Sequence, residues 1–158
     1  MEKWEELIQA KCIQKGWTLT LAESCTGGAL AQRLTRLPGC SAYFLGSIVS
    51  YSNELKIKCL GVNAESLIKQ GAVSEEVVKQ MAKGVLKLSQ SDFSLAVSGI
   101  AGPSGGTLLK PVGTIWAAIG DQESIEAWMF HLSGQREEII QQTVEEILKK
   151  FWMKIQSL

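Results

Sequence analysis

The chain has 158 residues, a hydrophobic fraction of 46% and a formal net charge of +0, from 16 basic and 16 acidic side chains. That length suits a single domain, residues 1–158, which can bury a core without disulfide or metal staples. The scattered, balanced charge offers no basic face for nucleic acid, and no apolar run approaches the roughly 18 residues that cross a membrane.

The first residues, Met1-Glu2-Lys3-Trp4-Glu5-Glu6, are charged and lack the apolar stretch of a signal peptide. Trp4, Leu7, Ile8 and Cys12 share one helical face, so the first dozen residues read as an amphipathic helix ended by Gly16. Thr18 to Ala22 reads as a buried strand, and Ala29 to Leu37 as a helix stopped by Pro38-Gly39. Tyr43 to Tyr51, part β-branched and part aromatic, reads as a central strand. Short helices follow over Glu54 to Leu60 and Ala64 to Gln70, closed by Gly61 and Gly71. Ser74 is an N-cap with Glu75 and Glu76 behind it, and Val77, Val78, Met81, Val85 and Leu88 continue at helical spacing. Phe93 to Val97 is a strand. Val112 to Ile119 and Ser124 to Phe130 form a hairpin across Gly120-Asp121-Gln122-Glu123. A last helix carries Ile140, Val144, Ile147, Leu148 and Phe151 on one face.

Helices between the early strands imply parallel crossovers. The expected architecture is α/β: a three-layer α/β/α domain with a mixed, mostly parallel sheet of about five strands, then a C-terminal β-hairpin and helix. The four cysteines, Cys12, Cys25, Cys40 and Cys59, contain no C-x-x-C pair and read as free thiols of a cytoplasmic protein rather than zinc ligands. Trp4, Trp128 and Trp152, if exposed, would suit a homodimer; core packing explains them equally well.

Four segments could carry chemistry. Glu23-Ser24-Cys25-Thr26-Gly27-Gly28 lies where a strand turns into a helix, which puts a hydroxyl and a thiol at a strand's carboxyl end beside free helix N–H groups. Simple helix capping accounts for the same residues, and the segment alone does not separate serine from cysteine. Ser50-Tyr51-Ser52-Asn53-Glu54-Leu55-Lys56 repeats the strand-to-helix pattern. A desolvated Lys56 could act as a base there; a solvated surface lysine is the plainer reading. Ser98-Gly99-Ile100-Ala101-Gly102-Pro103-Ser104-Gly105-Gly106-Thr107 packs four glycines into ten residues, a loop of N–H groups suited to an anion. It matches neither a Walker loop nor a dinucleotide fingerprint. Arg136 opens the last helix against the helix dipole, which suggests a phosphate or carboxylate partner, or a surface pair with Glu137 or Glu138. His131 is the only histidine, so a histidine triad would have to use it.

Together with Gly71-Ala72-Val73-Ser74, Lys110-Pro111-Val112-Gly113 and Gly134-Gln135-Arg136, these segments resemble the CinA C-terminal domain family, the nicotinamide-nucleotide amidohydrolases. The resemblance runs through almost the whole chain in order. It implies hydrolysis of the carboxamide of nicotinamide mononucleotide to nicotinate mononucleotide and ammonia, in cytoplasmic pyridine-nucleotide salvage, with no metal or cofactor. By the same resemblance Ser24 is the nucleophile, Lys56 its base and Tyr51 a proton relay or orienting group. Backbone N–H groups at Cys25 and Thr26 form the oxyanion hole. Glu23, Gly27, Gly28, Asn53, Ser98, Gly99, Gly102, Ser104, Gly105, Gly106 and Arg136 hold the nucleotide. The chain departs from the family pattern at Gln135, where aspartate is common, and at Ile140, where a second arginine is common. Two other readings stand beside this one: a non-catalytic nucleotide-binding regulatory module linked to competence, and an amidase that uses Cys25 with Glu23 or Lys56 as base.

Overall fold

The computed structural model describes residues 3–158. Met1 and Glu2, which the periodicity includes in the first helix, lie outside the described residues. The elements in chain order are α1 (Trp4–Lys15), β1 (Leu19–Glu23), α2 (Ala29–Thr35), β2 (Phe44–Val49), α3 (Asn53–Leu60), α4 (Ala64–Gln70), α5 (Glu75–Ser89), β3 (Phe93–Gly99), β4 (Thr114–Gly120), β5 (Ile125–His131) and α6 (Arg136–Ile155). The five strands form one mixed sheet in the order β2-β1-β3-β4-β5. β2 and β3 flank β1 in parallel, while the β3–β4 and β4–β5 pairings are antiparallel. Only β4 therefore runs against the other four strands.

Alternation along the strands feeds two separate cores. Leu19, Leu21, Leu95, Val97, Ala117 and Ile119 pack beneath α1, α2 and α6, against Ile8, Leu34, Val144, Ile147 and Phe151. The opposite parity, Ala22, Ala96 and Ala118, packs under α3, α4 and α5, against Leu60, Leu67, Val78, Met81 and Val85. Small residues on that face let α5 lie close to the sheet. Gly84 brings α5 equally close to α3: a Cβ there would stand 1.8 Å from the Leu60 carbonyl oxygen. The expected three-layer α/β/α architecture with its hairpin is what forms.

Some local expectations are corrected. β2 is an edge strand rather than a central one, and is only partly buried. Leu7 and Leu88 sit at helical spacing with buried residues yet are 40% and 60% exposed, while Leu86 takes the inward position on α5. Trp4, Trp128 and Trp152 are partly buried against the first core.

The sheet order creates one crevice. The chain leaves β1 through α2 toward β2 on one side of the sheet, and reaches β3 through α3, α4 and α5 on the other. Such reversals open a cleft at the carboxyl ends of the strands. The register opposes Glu23 to Val49 on one side and to Val97 on the other. The next residues of the three parallel strands, Ser24, Ser50 and Ser98, thus stand in one rank at the cleft floor. Backbone bonds from Ser24 N–H to Val97 O (3.1 Å) and from Ser50 N–H to Glu23 O (2.9 Å) fix that rank.

Candidate functional site

α3 supplies the side chain that distinguishes one of these serines from the others. Ser52 caps α3 by accepting from Leu55 N–H at 3.1 Å. Lys56 lies in the first turn, and helical side chains lean toward the N-terminus, so its stem runs back over the rank of serines. Its ammonium end is buried and reaches Ser24 Oγ at 2.9 Å, Ser50 O at 2.8 Å and Tyr51 O at 3.3 Å. No carboxylate pairs with it among the described residues. Burial lowers its pKa below the usual lysine value of 10.5.

These three partners serve both protonation states. A protonated Lys56 donates to all three oxygens. A neutral Lys56 donates to the two carbonyls and turns its lone pair to the Ser24 hydroxyl proton. The amine can therefore take a proton from Ser24 without losing a contact. The other two hydroxyls of the rank have no such partner: Ser50 Oγ lies 3.5 Å from Glu23 O, and Ser98 Oγ donates to Ala72 O at 2.8 Å.

Glu23 explains the shape of the turn after β1. It faces the other side of the sheet from Ser24, is fully buried, and lies outside the cleft. Its Oε2 accepts from Thr26 Oγ1 (2.6 Å), Gly28 N–H (3.1 Å) and Leu30 N–H (3.1 Å); its Oε1 accepts from Ala31 N–H (3.0 Å) and Ser47 Oγ (2.9 Å). The carboxylate thus does the work of an N-cap for α2, whose own N-cap residue, Gly28, has no side chain to offer. Gly28 takes φ 103°, and Gly27 φ 56°, values that favour glycine in so tight a turn. The reading of Glu23, Gly27 and Gly28 as ligand-binding residues is corrected: they build the turn from behind. With the N–H groups of Gly27, Gly28, Leu30 and Ala31 engaged, those of Cys25 and Thr26 find no protein acceptor among the described residues.

The cleft has a volume of about 260 Å³. Of the sequence-derived candidates, Ser24, Cys25, Tyr51, Asn53, Lys56, Ser98, Gly99, Gly102, Ser104, Gly105 and Arg136 line it. Thr26, like Gly27 and Gly28, lines a neighbouring groove with Glu137 and Ile140 instead. Gly106 is also outside the cleft; its Cα packs against Val112, where a Cβ would meet Val112 N at 2.8 Å. Ala72, Val73, Ile100 and Ala101 complete the lining. The Gly71-Ala72-Val73-Ser74 motif was the available signal for the first two.

Two roles change with the geometry. The Tyr51 hydroxyl accepts from Arg136 Nη2 at 2.8 Å and reaches neither Ser24 nor Lys56, so it is no proton relay; its backbone carbonyl holds Lys56 and its half-exposed ring walls the cleft. Ser98 spends its hydroxyl proton on Ala72 and supports that wall. Arg136 pairs with no carboxylate among the described residues. Its Nη1 donates to Gly102 O at 2.8 Å, so it joins Tyr51 to the glycine loop and leaves a positive edge on the cleft. Gln135 does not weaken the helix start, since its N–H donates to Glu138 Oε2 at 2.7 Å. In the loop, the N–H groups of Ala101, Gly102, Ser104, Gly105 and Gly106 have no protein acceptor among the described residues. Such N–H groups beside a guanidinium make a site for an anion.

Burial pushes the Cys25 thiol up to about 12, which leaves almost none of it as thiolate near neutral pH. His131, at the end of β5, does not line the cleft. Among the described residues no group of three or more His, Cys, Asp or Glu side chains is placed to hold a metal ion, and no helix is long and apolar enough to cross a membrane.

With this geometry in view, the comparisons with known proteins are specific. The family model of the CinA C-terminal domain matches residues 1–154. The CinA-like protein of Endomicrobium trichonymphae is 52% identical over 131 residues, which are 83% of this chain and 31% of that protein. The CinA-like protein of Geobacter metallireducens is 48% identical over 141 residues, 89% of this chain and 34% of that one. The chain thus spans about a third of the length of the curated relatives it matches. Among solved structures, the competence damage-inducible protein A (ComA) of Klebsiella pneumoniae superposes with a TM-score of 0.94 at 36% identity, covering 98% of this chain and 96% of that one. The competence/damage inducible protein CihA of Agrobacterium tumefaciens gives a TM-score of 0.91 at 37% identity, covering 96% and 94%.

Proposed function

The chain belongs to the CinA C-terminal domain family, and on that premise we propose that it is an amidohydrolase, using Ser24 and Lys56 to hydrolyse the carboxamide of nicotinamide mononucleotide. The observation that carries the reading is the buried Lys56 amine, 2.9 Å from Ser24 Oγ and free of any carboxylate partner among the described residues. A lysine paired with a carboxylate would stay protonated; this one is poised to accept a proton.

In this reading Ser24 Oγ attacks the carboxamide carbon while its proton passes to Lys56 Nζ. The Cys25 N–H, next to Ser24 in the cleft, bears the charge that develops on the carbonyl oxygen; one donor of this kind is worth about 2.7–4 kcal/mol of barrier. The tetrahedral adduct collapses, the C–N bond breaks, and the amine leaves as ammonia with the proton from Lys56. Water then attacks the acyl-enzyme, gives its proton to Lys56, and Ser24 departs with a proton restored to Oγ. The products are the pyridine carboxylate and ammonia. The loop N–H groups and Arg136 hold the phosphate, and the Tyr51 ring borders the heterocycle and ribose. The setting proposed is cytoplasmic nucleotide salvage.

The test is ammonia release from nicotinamide mononucleotide by wild type and Ser24→Ala in parallel. Turnover by wild type alone is expected. Equal turnover by Ser24→Ala would overturn the mechanism, and tight binding without turnover by wild type would identify a regulatory module instead.

A further inference from the structure

The Lys110-Pro111-Val112-Gly113 motif remains unused by the chemistry above, and Lys110 does not line the cleft. Its amine donates instead to the carbonyl of Gln70, the last residue of α4, across 40 positions of sequence. The α4–α5 connection that begins there supplies Ala72 and Val73 to one cleft wall. Ser98 ties that wall to β3 through Ala72 O. Lys110 ties the same wall to the facing one, the glycine loop.

Lys110 closes the tip of that loop in a turn, with Thr107 N–H donating to Lys110 O (2.8 Å) and Lys110 N–H to Thr107 Oγ1 (3.0 Å). Leu108 and Leu109 occupy that tip, 99% and 90% exposed, so no packing of their own holds it down. Two residues after Lys110, Val112 is the surface on which Gly102 and Gly106 rest: a Cβ on Gly102 would meet Val112 Cγ1 at 2.5 Å. Val112 is anchored on both sides, with Thr114 N–H and Oγ1 donating to Pro111 O (3.1 and 2.7 Å) and Gly113 N–H to Ile100 O (2.7 Å). The movement that a freed Lys110 allows therefore falls on the Thr107–Lys110 turn and on the Gly105 and Gly106 N–H groups that adjoin it. At its other end the loop is held by Arg136 at Gly102 O.

We infer that Lys110 is a positioning residue: it clasps the glycine loop to the end of α4 and so sets the anion-binding N–H groups at their working distance from Ser24. The inference rests on the amidohydrolase reading for its substrate, though the clasp itself is a property of the fold. In Lys110→Met, KM for nicotinamide mononucleotide rises about tenfold with kcat unchanged, the loss expected for one charge-assisted hydrogen bond at an exposed position. Lys110→Arg restores KM. The phosphate-free nicotinamide riboside shows no change in KM, because nothing in it uses the loop.

A second readout does not depend on turnover. Thermolysin cleavage at Leu108-Leu109 is faster in Lys110→Met than in wild type or Lys110→Arg, because the freed loop opens more often. If wild type releases no ammonia, the amidohydrolase reading fails and the cleavage rates still judge the clasp. Unchanged cleavage overturns it, whatever KM does. Faster cleavage with an unchanged KM for the mononucleotide overturns the positioning role.

Discussion

The network around Glu23 makes a quantitative prediction that involves no substrate. In Glu23→Gln the shape is kept, but one carboxylate oxygen becomes an NH₂ group that donates and cannot accept. The two orientations of the amide are not equivalent. Placing the NH₂ at the Oε2 position would set it against three donors: the Thr26 hydroxyl and the N–H groups of Gly28 and Leu30. Placing it at Oε1 opposes only Ala31 N–H and the Ser47 hydroxyl, and that hydroxyl can rotate to accept. The second orientation therefore wins, and one backbone N–H is orphaned. An orphaned buried donor costs about 1–3 kcal/mol. The three bonds that remain lose their charge assistance, roughly half their strength each. Together these give a destabilisation of about 3 kcal/mol, or about 6–12 °C in Tm for a chain of this size. Thr26→Val and Ser47→Ala each remove a single donor and leave four on the carboxylate, so about 1 kcal/mol is expected for each. The assay is urea unfolding followed by circular dichroism, with the three variants run beside wild type. Equal midpoints for all four proteins would refute the network, and a Glu23→Gln loss no larger than that of Ser47→Ala would refute its central carboxylate.

Lys56 predicts the pH dependence of both rate and stability. Because burial lowers its pKa below 10.5, kcat/KM for ammonia release rises with pH as the amine deprotonates, and a rate that fell across that limb would exclude Lys56 as base. Between the lowered folded value and the unfolded 10.5, the unfolded chain binds a proton that the folded chain does not. Stability of wild type relative to Lys56→Met therefore rises with pH across that window, as pH-dependent urea unfolding of the two would report. Cys25, with its thiol at about 12, resists iodoacetamide at pH 8 while the exposed Cys59 reacts, and Cys25→Ala keeps its ammonia release; rapid loss of activity on alkylation, traced to Cys25 by mass spectrometry, would reverse the assignment of the nucleophile.

What the sequence made legible follows the range of the interactions involved. Element type and order were readable because each helix and strand carries its own period and caps, as at Ser52, Ser74 and Gly61. Whether β2 lies at an edge is not a local property: Phe44, Leu45, Ile48 and Val49 would suit a centre, and the edge follows from where two crossovers place β1 and β3. The site divides the same way. Ser24 and Lys56 could be singled out one by one, but the partners of Arg136 lie 34 and 85 residues away, and the donors to Glu23 come from the turn, α2 and β2. The reading of Glu23 as a ligand-binding residue is therefore corrected, and of the two roles read for Tyr51, proton relay or orienting group, its contacts fit the second.

The strand register shows why the proposed nucleophile could not be chosen from its own segment. Parallel pairing sets Ser24, Ser50 and Ser98 side by side at the carboxyl ends of their strands, Ser24 and Ser50 one step past β1 and β2 and Ser98 one residue before the end of β3. Position at a strand end is common to all three, so position alone does not make a nucleophile. Lys56 approaches from α3 and makes the difference: it spends two donors on the Ser50 and Tyr51 carbonyls, and what remains of its valence faces Ser24. The same two carbonyls that anchor the amine would prefer it protonated, while burial prefers it neutral. The base proposed for Ser24 would have to take a proton and return it within each turnover, which needs both pressures, and a lone buried lysine between two carbonyls and a hydroxyl is subject to both.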